Sequence, residues 1–195
     1  IPEIFRVEDR TLLQKLLIHS IFHSGSIINI VDLANSYDSP RQTVSTYLSY
    51  LQASILLQLL EKYARTAASR LRAFKKVYPT DTGLVVNLRR LDLQKLEAQG
   101  LWGQLAEIAV FGSLKRNFPT GRFYYSRQRD KEVDFVLDLP ERLLPVEVKY
   151  RGNIPDIRGL EHFRDKFKVR EGIVVTKDDL GFKNNLLYLP LRLIL

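Results

Sequence analysis

Asp134 is the residue whose setting asks most for a chemical explanation. It stands inside "EVDFVLDL", an apolar and β-branched run that reads as a strand, where aspartate is disfavoured. A carboxylate left unpaired in such a place is costly, so it needs a cation, a metal or an exposed face. Thirteen residues on, "PVEVKY" carries Glu147 and Lys149 on one face by the period of two, with Val146 and Val148 on the other. If these two strands pair as a hairpin, Asp134, Glu147 and Lys149 converge; Glu132 shares the Asp134 face. Glu107 adds a fourth ionisable group, because Gly103, Glu107, Val110, Phe111 and Leu114 fall on one helical face. Carboxylate oxygens are the donors that magnesium prefers. Two of them with a lysine can hold a divalent ion, activate a water and stabilise a pentacovalent phosphate. The same spacing also suits a cross-strand ladder of ion pairs on a solvated face, and alternation alone does not decide between the two.

Several elements must position these groups. Residues 102–116 form an almost wholly apolar helix carrying Glu107. Three strands come next, "RFYYSR", "KEVDFVLDL" and "LLPVEVKYR", with Pro140 and nearby charges marking the last hairpin. Ile157, Leu160, Phe163 and Phe167 recur at helical spacing, and "EGIVVTK" reads as a strand of the buried parallel type. The tail from Asn184 suits strand, helix or both. Asp178 and Asp179 suit a turn that caps the next segment. Of Tyr124 and Tyr125, one is expected in the core; either ring is also able to stack on a base.

The first half reads differently. Leu12, Leu13, Leu16, Leu17, Ile21 and Phe22 predict a helix near residues 9–24, and a short helix over "INIVDLANSYD" comes after it. A third begins at "SPRQ", with Ser39 as N-cap, Pro40 in the first helical position and Gln42 completing a capping box. Val44, Leu48 and Leu51 point inward. Three helices with a tight turn between the last two are a helix-turn-helix pattern. "ILLQLLEKY" and "AFKKVYPTD" read as strands, and residues 62–80 hold six basic side chains and no acidic one. That predicts a basic wing. Arg41, Gln42, Ser45 and Thr46 are then candidates to read base edges, with Arg70, Arg72, Lys75 and Lys76 on phosphates. A winged helix used as a protein-binding adaptor is the competing reading. His19 and His23 stand at zinc-ligand spacing, but with no cysteine and only His162 besides, a structural or surface pair is expected.

A net charge of +8 makes polyanions the first class of partner to weigh. Zero cysteines exclude a disulfide framework and a thiolate zinc site. No apolar run is long enough to cross a bilayer, and a cytoplasmic location is expected. The first residue is Ile1 and the chain has no methionine, as expected of a processed chain or a fragment of a larger protein.

Asp134 with Glu147-Val148-Lys149 after it resembles the D…ExK signature of the PD-(D/E)xK nuclease superfamily, with Glu107 placed like the additional upstream acid of many members. "DTGL" at 81–84, Gly103-x-x-x-Glu107, "YYSRQRDKEVDFVL", "VEVKY" and Gly159-Leu160-x-x-Phe163 resemble the C-terminal region of a large group of archaeal and bacterial AAA+ ATPases. The resemblance covers most of the chain. It implies an α/β (overall α+β) architecture: a winged helix-turn-helix domain over residues 1–80, then a restriction-endonuclease-like mixed-sheet domain over residues 81–195. It implies that Asp134, Glu147, Glu107 and the Val148 carbonyl hold Mg (or Mn), and that Lys149 orients water or stabilises phosphate charge. The catalytic set it implies is Glu107, Asp134, Glu147 and Lys149, in a DNA-cleaving endonuclease. No G-x-x-x-x-G-K-[ST] is present, so the attached ATPase domain and its ATP are expected outside this chain. DNA is the expected partner, and a homo-oligomer is possible. The alternatives are a non-catalytic DNA- or protein-binding regulatory module of the same ATPase, and an interaction protein whose basic surface meets an acidic partner.

Overall fold

The computed structural model describes residues 4–150 and 156–195, with the side chains of Leu71 and Arg72 also outside the described set. It is a mixed α/β structure whose described strands form one nine-stranded sheet. Helix α1 (Arg10–Phe22) is capped by Asp9, whose side chain accepts from the Leu12 amide. A two-residue strand β1 (Ile27–Ile28) leads to α2 (Ile30–Ser36) and α3 (Arg41–Ala53). The apolar stripes of these helices meet as expected: Leu12, Leu16, Leu33, Val44, Leu48 and Leu51 share one core. The α3 start differs from the expectation. Pro40 is the capping residue, Ser39 makes no cap, and no side chain bonds the first turn. Proline at this position fixes φ and lacks only a donor the helix does not use.

Strands β2 (Leu57–Lys62) and β3 (Lys75–Pro79) pair antiparallel, and β1 adds to the other edge of β3. Three helices therefore precede an antiparallel strand pair. The connection is not a plain loop, because helix α4 (Ala67–Arg72) caps it, with Thr66 accepting from the Ser69 amide.

Helices α5 (Thr82–Leu88) and α6 (Leu93–Ala98) come next, and then α7 (Trp102–Asn117). Asp81 caps α5 through the Gly83 amide at 2.6 Å. The three expected strands form β4 (Arg122–Gln128), β5 (Lys131–Asp138) and β6 (Leu143–Lys149), successively antiparallel. Helix α8 (Arg158–Phe167) crosses over to β7 (Gly172–Thr176), parallel to β6. The tail supplies β8 (Gly181–Lys183), β9 (Leu186–Pro190) and a final 3-10 turn, Leu191–Leu193.

The sheet order is β1-β3-β2-β4-β5-β6-β7-β9-β8. The join between halves is β2 beside β4, parallel, with Glu61 opposite Tyr124 and Lys62 opposite Tyr125. The backbone bond from the Tyr63 amide to the Tyr125 carbonyl (2.7 Å) continues it. One core cluster spans this join, with Ile21, Leu60 and Tyr78 packed together with Phe111, Phe135 and Val146. Tyr124 and Tyr125 are both buried, one in each of two clusters, because the sheet is covered on both faces there. No helix among the described residues is long and apolar enough to cross a membrane.

Candidate functional site

The β5–β6 ladder ends at Phe135 opposite Val146. One residue beyond that pair stand Asp134 and Glu147, at the point where the strands part. The Val148 amide donates to Asp134 Oδ2 at 2.8 Å. The Asp134 side chain thereby takes the place of a backbone partner, which gives this carboxylate a structural as well as an electrostatic reason to be buried. Lys149 Nζ lies 2.5 Å from Glu147 Oε1, while the buried Glu147 Oε2 has no hydrogen-bond partner. Glu147 is only 4% exposed.

Glu107 arrives from the middle of α7 and meets Asp134 around the Lys76 ammonium. Burial first, then the Asp134 charge, hold the Glu107 carboxyl well above the usual carboxylate range, against the pull of a nearby ammonium. Burial and Asp134 likewise push Glu147 up to about 8, with Lys149 opposing. The structure therefore brings Glu107, Asp134, Glu147 and Lys149 together.

It also places there a residue expected elsewhere. The sequence assigns Lys76 to phosphate contact on an exposed wing; in the fold its side chain is 2% exposed and lies inside the carboxylate cluster. Its ammonium pairs with Glu132 Oε1, and stands 3.8 Å from Glu107 Oε1 and 3.9 Å from Asp134 Oδ1. It also donates to the Tyr78 hydroxyl at 3.4 Å. Burial works against this charge, but Glu107, Asp134 and Glu132 outweigh it and raise the Lys76 pKa. The reason is period two. Val77 faces the N-terminal core, so Lys76 and Tyr78 face α7 and β5. The sequence signal was available in that pairing with Tyr78, and in Glu132 sharing the Asp134 face.

The rest of the expected wing contact also has other partners. Lys75 pairs with Glu61 at 3.2 Å, and Arg70 donates to the Ala64 carbonyl at 2.8 Å while lying over the Tyr124 ring. The Arg72 side chain lies outside the described residues. On α3, Arg41 and Gln42 are exposed, and Ser45 and Thr46 are half-buried. His19 and His23 stack at 4.1 Å, and the Tyr37 hydroxyl lies 3.3 Å from His19 Nδ1.

Two glycines let the cluster close. Gly25 has φ +77, and a Cβ there would sit 2.5 Å from Glu107 Oε2. At Gly159 a Cβ would fall 1.9 Å from the Glu132 carbonyl, so α8 rests directly on the β5 backbone. Gly25→Ala is expected to cost about 1–2 kcal/mol through its left-handed backbone alone. It should lower the thermal midpoint and displace Glu107; an unchanged midpoint would contradict the close approach.

A cavity of about 130 Å³ opens beside Glu132, Glu147 and Lys149, walled by Asp130, Lys131, Asp156, Arg158 and Gly159. As a metal site the cluster offers hard oxygen donors. Four carboxylates (Glu107, Glu132, Asp134 and Glu147) face two ammonium groups, Lys76 and Lys149. Arg127 meets Glu132 only at the outer edge, at 3.6 Å. The excess acid and the unpartnered Glu147 oxygen are the kind of donor a divalent cation would use. No group of three or more acidic or histidine side chains is arranged as a ready-made cage among the described residues. The Lys76 ammonium stands among the oxygens of Glu107, Glu132 and Asp134, while Glu147 is held by Lys149.

Residues 1–95 match the family model of a domain of unknown function, DUF8612, and residues 102–194 match that of another, DUF4143. The chain is 28% identical over 137 residues to uncharacterized protein Rv2008c of Mycobacterium tuberculosis and, equally, to uncharacterized protein Mb2031c of Mycobacterium bovis. The alignment covers 69% of this chain and 31% of each relative, so the chain spans about a third of their length. No solved structure matches.

Proposed function

We propose that this chain is a metal-dependent nuclease-like module that acts on phosphodiester backbones of DNA, within a larger AAA+ ATPase of cytoplasmic location. One observation carries the reading. Glu147 presents a buried, unpartnered oxygen beside Asp134, with Lys149 on its other oxygen, at the wall of an open cavity. Asp134, Glu147 and Glu107 would hold Mg or Mn, with the Val148 carbonyl as a further donor. A bound divalent ion supplies Lewis acidity and a nucleophilic water at neutral pH. Lys149, half-exposed at the cavity, places a positive charge where a phosphate oxygen would enter. Asp134 is held in place by the Val148 amide, so its orientation does not depend on the ion. The greater length of the relatives leaves room for the ATPase part.

The second reading is a non-catalytic regulatory module, and Lys76 favours it. An ammonium among three carboxylates makes the cluster an internal ion network that ties β3 to α7 and β5. Cleavage of labelled DNA with Mg or Mn separates the two. The nuclease reading expects turnover that falls at least about a hundredfold in Asp134→Asn and Glu147→Gln, the scale of losing a group that acts on the transition state. Equal residual activity in wild type and both variants, or no heat of Mn binding to the wild-type chain, would leave the ion network as the function of the cluster.

A further inference from the structure

The surface beside the carboxylate cavity is strongly basic, and of the wing the sequence pointed to it shares only Lys62. Strands β4 and β5 are joined by a two-residue turn, since Gln128 pairs with Lys131. Arg129 in that turn has φ +54, a left-handed conformation that hairpin turns usually give to Asn, Asp or Gly. An arginine there costs about 1–2 kcal/mol of backbone preference, which turn formation does not explain. Arg127, Arg129 and Lys131 are exposed, and Lys62 reaches them from the end of β2. Together with Gln128, Asp130 and His162 they wall a cavity of about 550 Å³. Among the described residues, Lys62, Arg129 and Lys131 make no ion pair, and Asp130 is the only acid in the wall. Asp130 and Lys131 also wall the smaller cavity at Glu147 and Lys149, so the two adjoin along the β4–β5 turn. Glu132 links them, with one oxygen on Lys76 and the other 3.6 Å from Arg127.

We propose that the β4–β5 turn and the adjoining end of β2 form the groove that binds the phosphodiester backbone of a nucleic acid and leads it to the carboxylate cavity. Delivery to that cavity rests on the nuclease reading; binding in the groove does not. The chemistry is that of cations clustered in one cavity, Lys62, Arg129 and Lys131 among them without an ion pair, and among the described residues no Phe, Tyr or Trp ring lines it to stack on bases. Recognition is therefore through phosphates and independent of sequence. The join of β2 to β4 explains why the site is absent from either half taken alone, because Lys62 comes from one and Arg127 to Lys131 from the other.

Fluorescence anisotropy of the full chain with a labelled duplex and the matching single strand, in EDTA, tests the groove without any cleavage. Arg129→Glu with Lys131→Glu is expected to weaken binding at least tenfold and to make the salt dependence shallower by about two phosphate contacts. Arg41→Ala with Gln42→Ala should change affinity less than threefold. Wild-type affinity in the charge-reversed variant overturns the groove, as does binding lost only in the α3 variant. Absence of binding by the wild-type chain at low salt also overturns it. Groove-dependent binding without metal-dependent cleavage upholds the groove and removes the nuclease reading.

Discussion

Freed of divalent ions, the chain is expected to become less stable as pH rises from about 4.5 to 8, opposite to the usual behaviour of paired carboxylates. Glu147 sits at about 8 in the folded state, and Glu107 is raised well above its ordinary value, both mainly by burial and then by Asp134. The folded state therefore binds more protons than the unfolded one across this window. The contribution of Glu147 is complete below the unfolded value near 4.5 and is lost as pH passes about 8. Its size is on the order of a few kcal/mol, from the scale of about 1.36 kcal/mol per pKa unit. His19 works the other way, since burial and then His23 lower its pKa, but its ring is half-exposed. Denaturant midpoints at pH 5, 6.5 and 8 in EDTA check the trend. Glu147→Gln should flatten it and raise stability at pH 8, although the Lys149 pair loses its charge partner. A wild-type midpoint that rises from pH 5 to 8 would show that these carboxyls are ionised without cost. If the proposed metal site forms, added Mn should stabilise the protein most at the alkaline end, where the carboxyls would no longer have to release protons.

Removing Lys76 is expected to be the most damaging single substitution. Its ammonium is the charge that Glu107, Glu132 and Asp134 share, and it is 2% exposed. Taking one partner from a buried ion cluster typically costs about 3–5 kcal/mol, because the remaining charges stay buried without compensation. Lys76→Met keeps most of the side-chain volume and isolates the charge effect from a cavity. Pairing it with Glu107→Gln removes one of the stranded carboxylates and should restore part of the loss. Urea denaturation of the two single variants and the double variant measures that coupling directly. If Lys76→Met were as stable as wild type at pH 8, the lysine would be a bystander. If the double variant were no better than the sum of the singles, Glu107 would not be its partner.

Both effects depend on contacts between distant parts of the chain. Helices and strands of the second half were legible because their apolar residues recur at 3.6 or 2, and α7, β5, β6 and β7 lie close to where that periodicity put them. Asp134 in an apolar strand and Glu107 on an apolar helix stood out for the same reason. The first-half helices came from their stripes, whereas the Ser39 cap did not form, since Pro40 alone suffices to start α3. The run from Lys62 to Lys76 looked like one basic surface because composition has no direction. In the fold its members diverge: Lys75 to Glu61, Arg70 to the Ala64 carbonyl, Lys76 inward and Lys62 to the basic groove.

What the sequence by itself determined was local: which segments coil or extend, and which charges stand where burial makes them expensive. Glu107 and Asp134 belong to that part, because each is anomalous within its own element, whereas Glu147 and Lys149 follow the ordinary alternation of a strand. The tertiary structure alone decided what neutralises them. Strand β3 lies between two cores, so both of its faces are buried, and the face carrying Lys76 meets carboxylates 31 to 58 positions away. A buried charge is stable only beside an opposite one. No pattern within β3 announces that partner, since it arrives from α7 and β5 only when the sheet closes through β2 and β4.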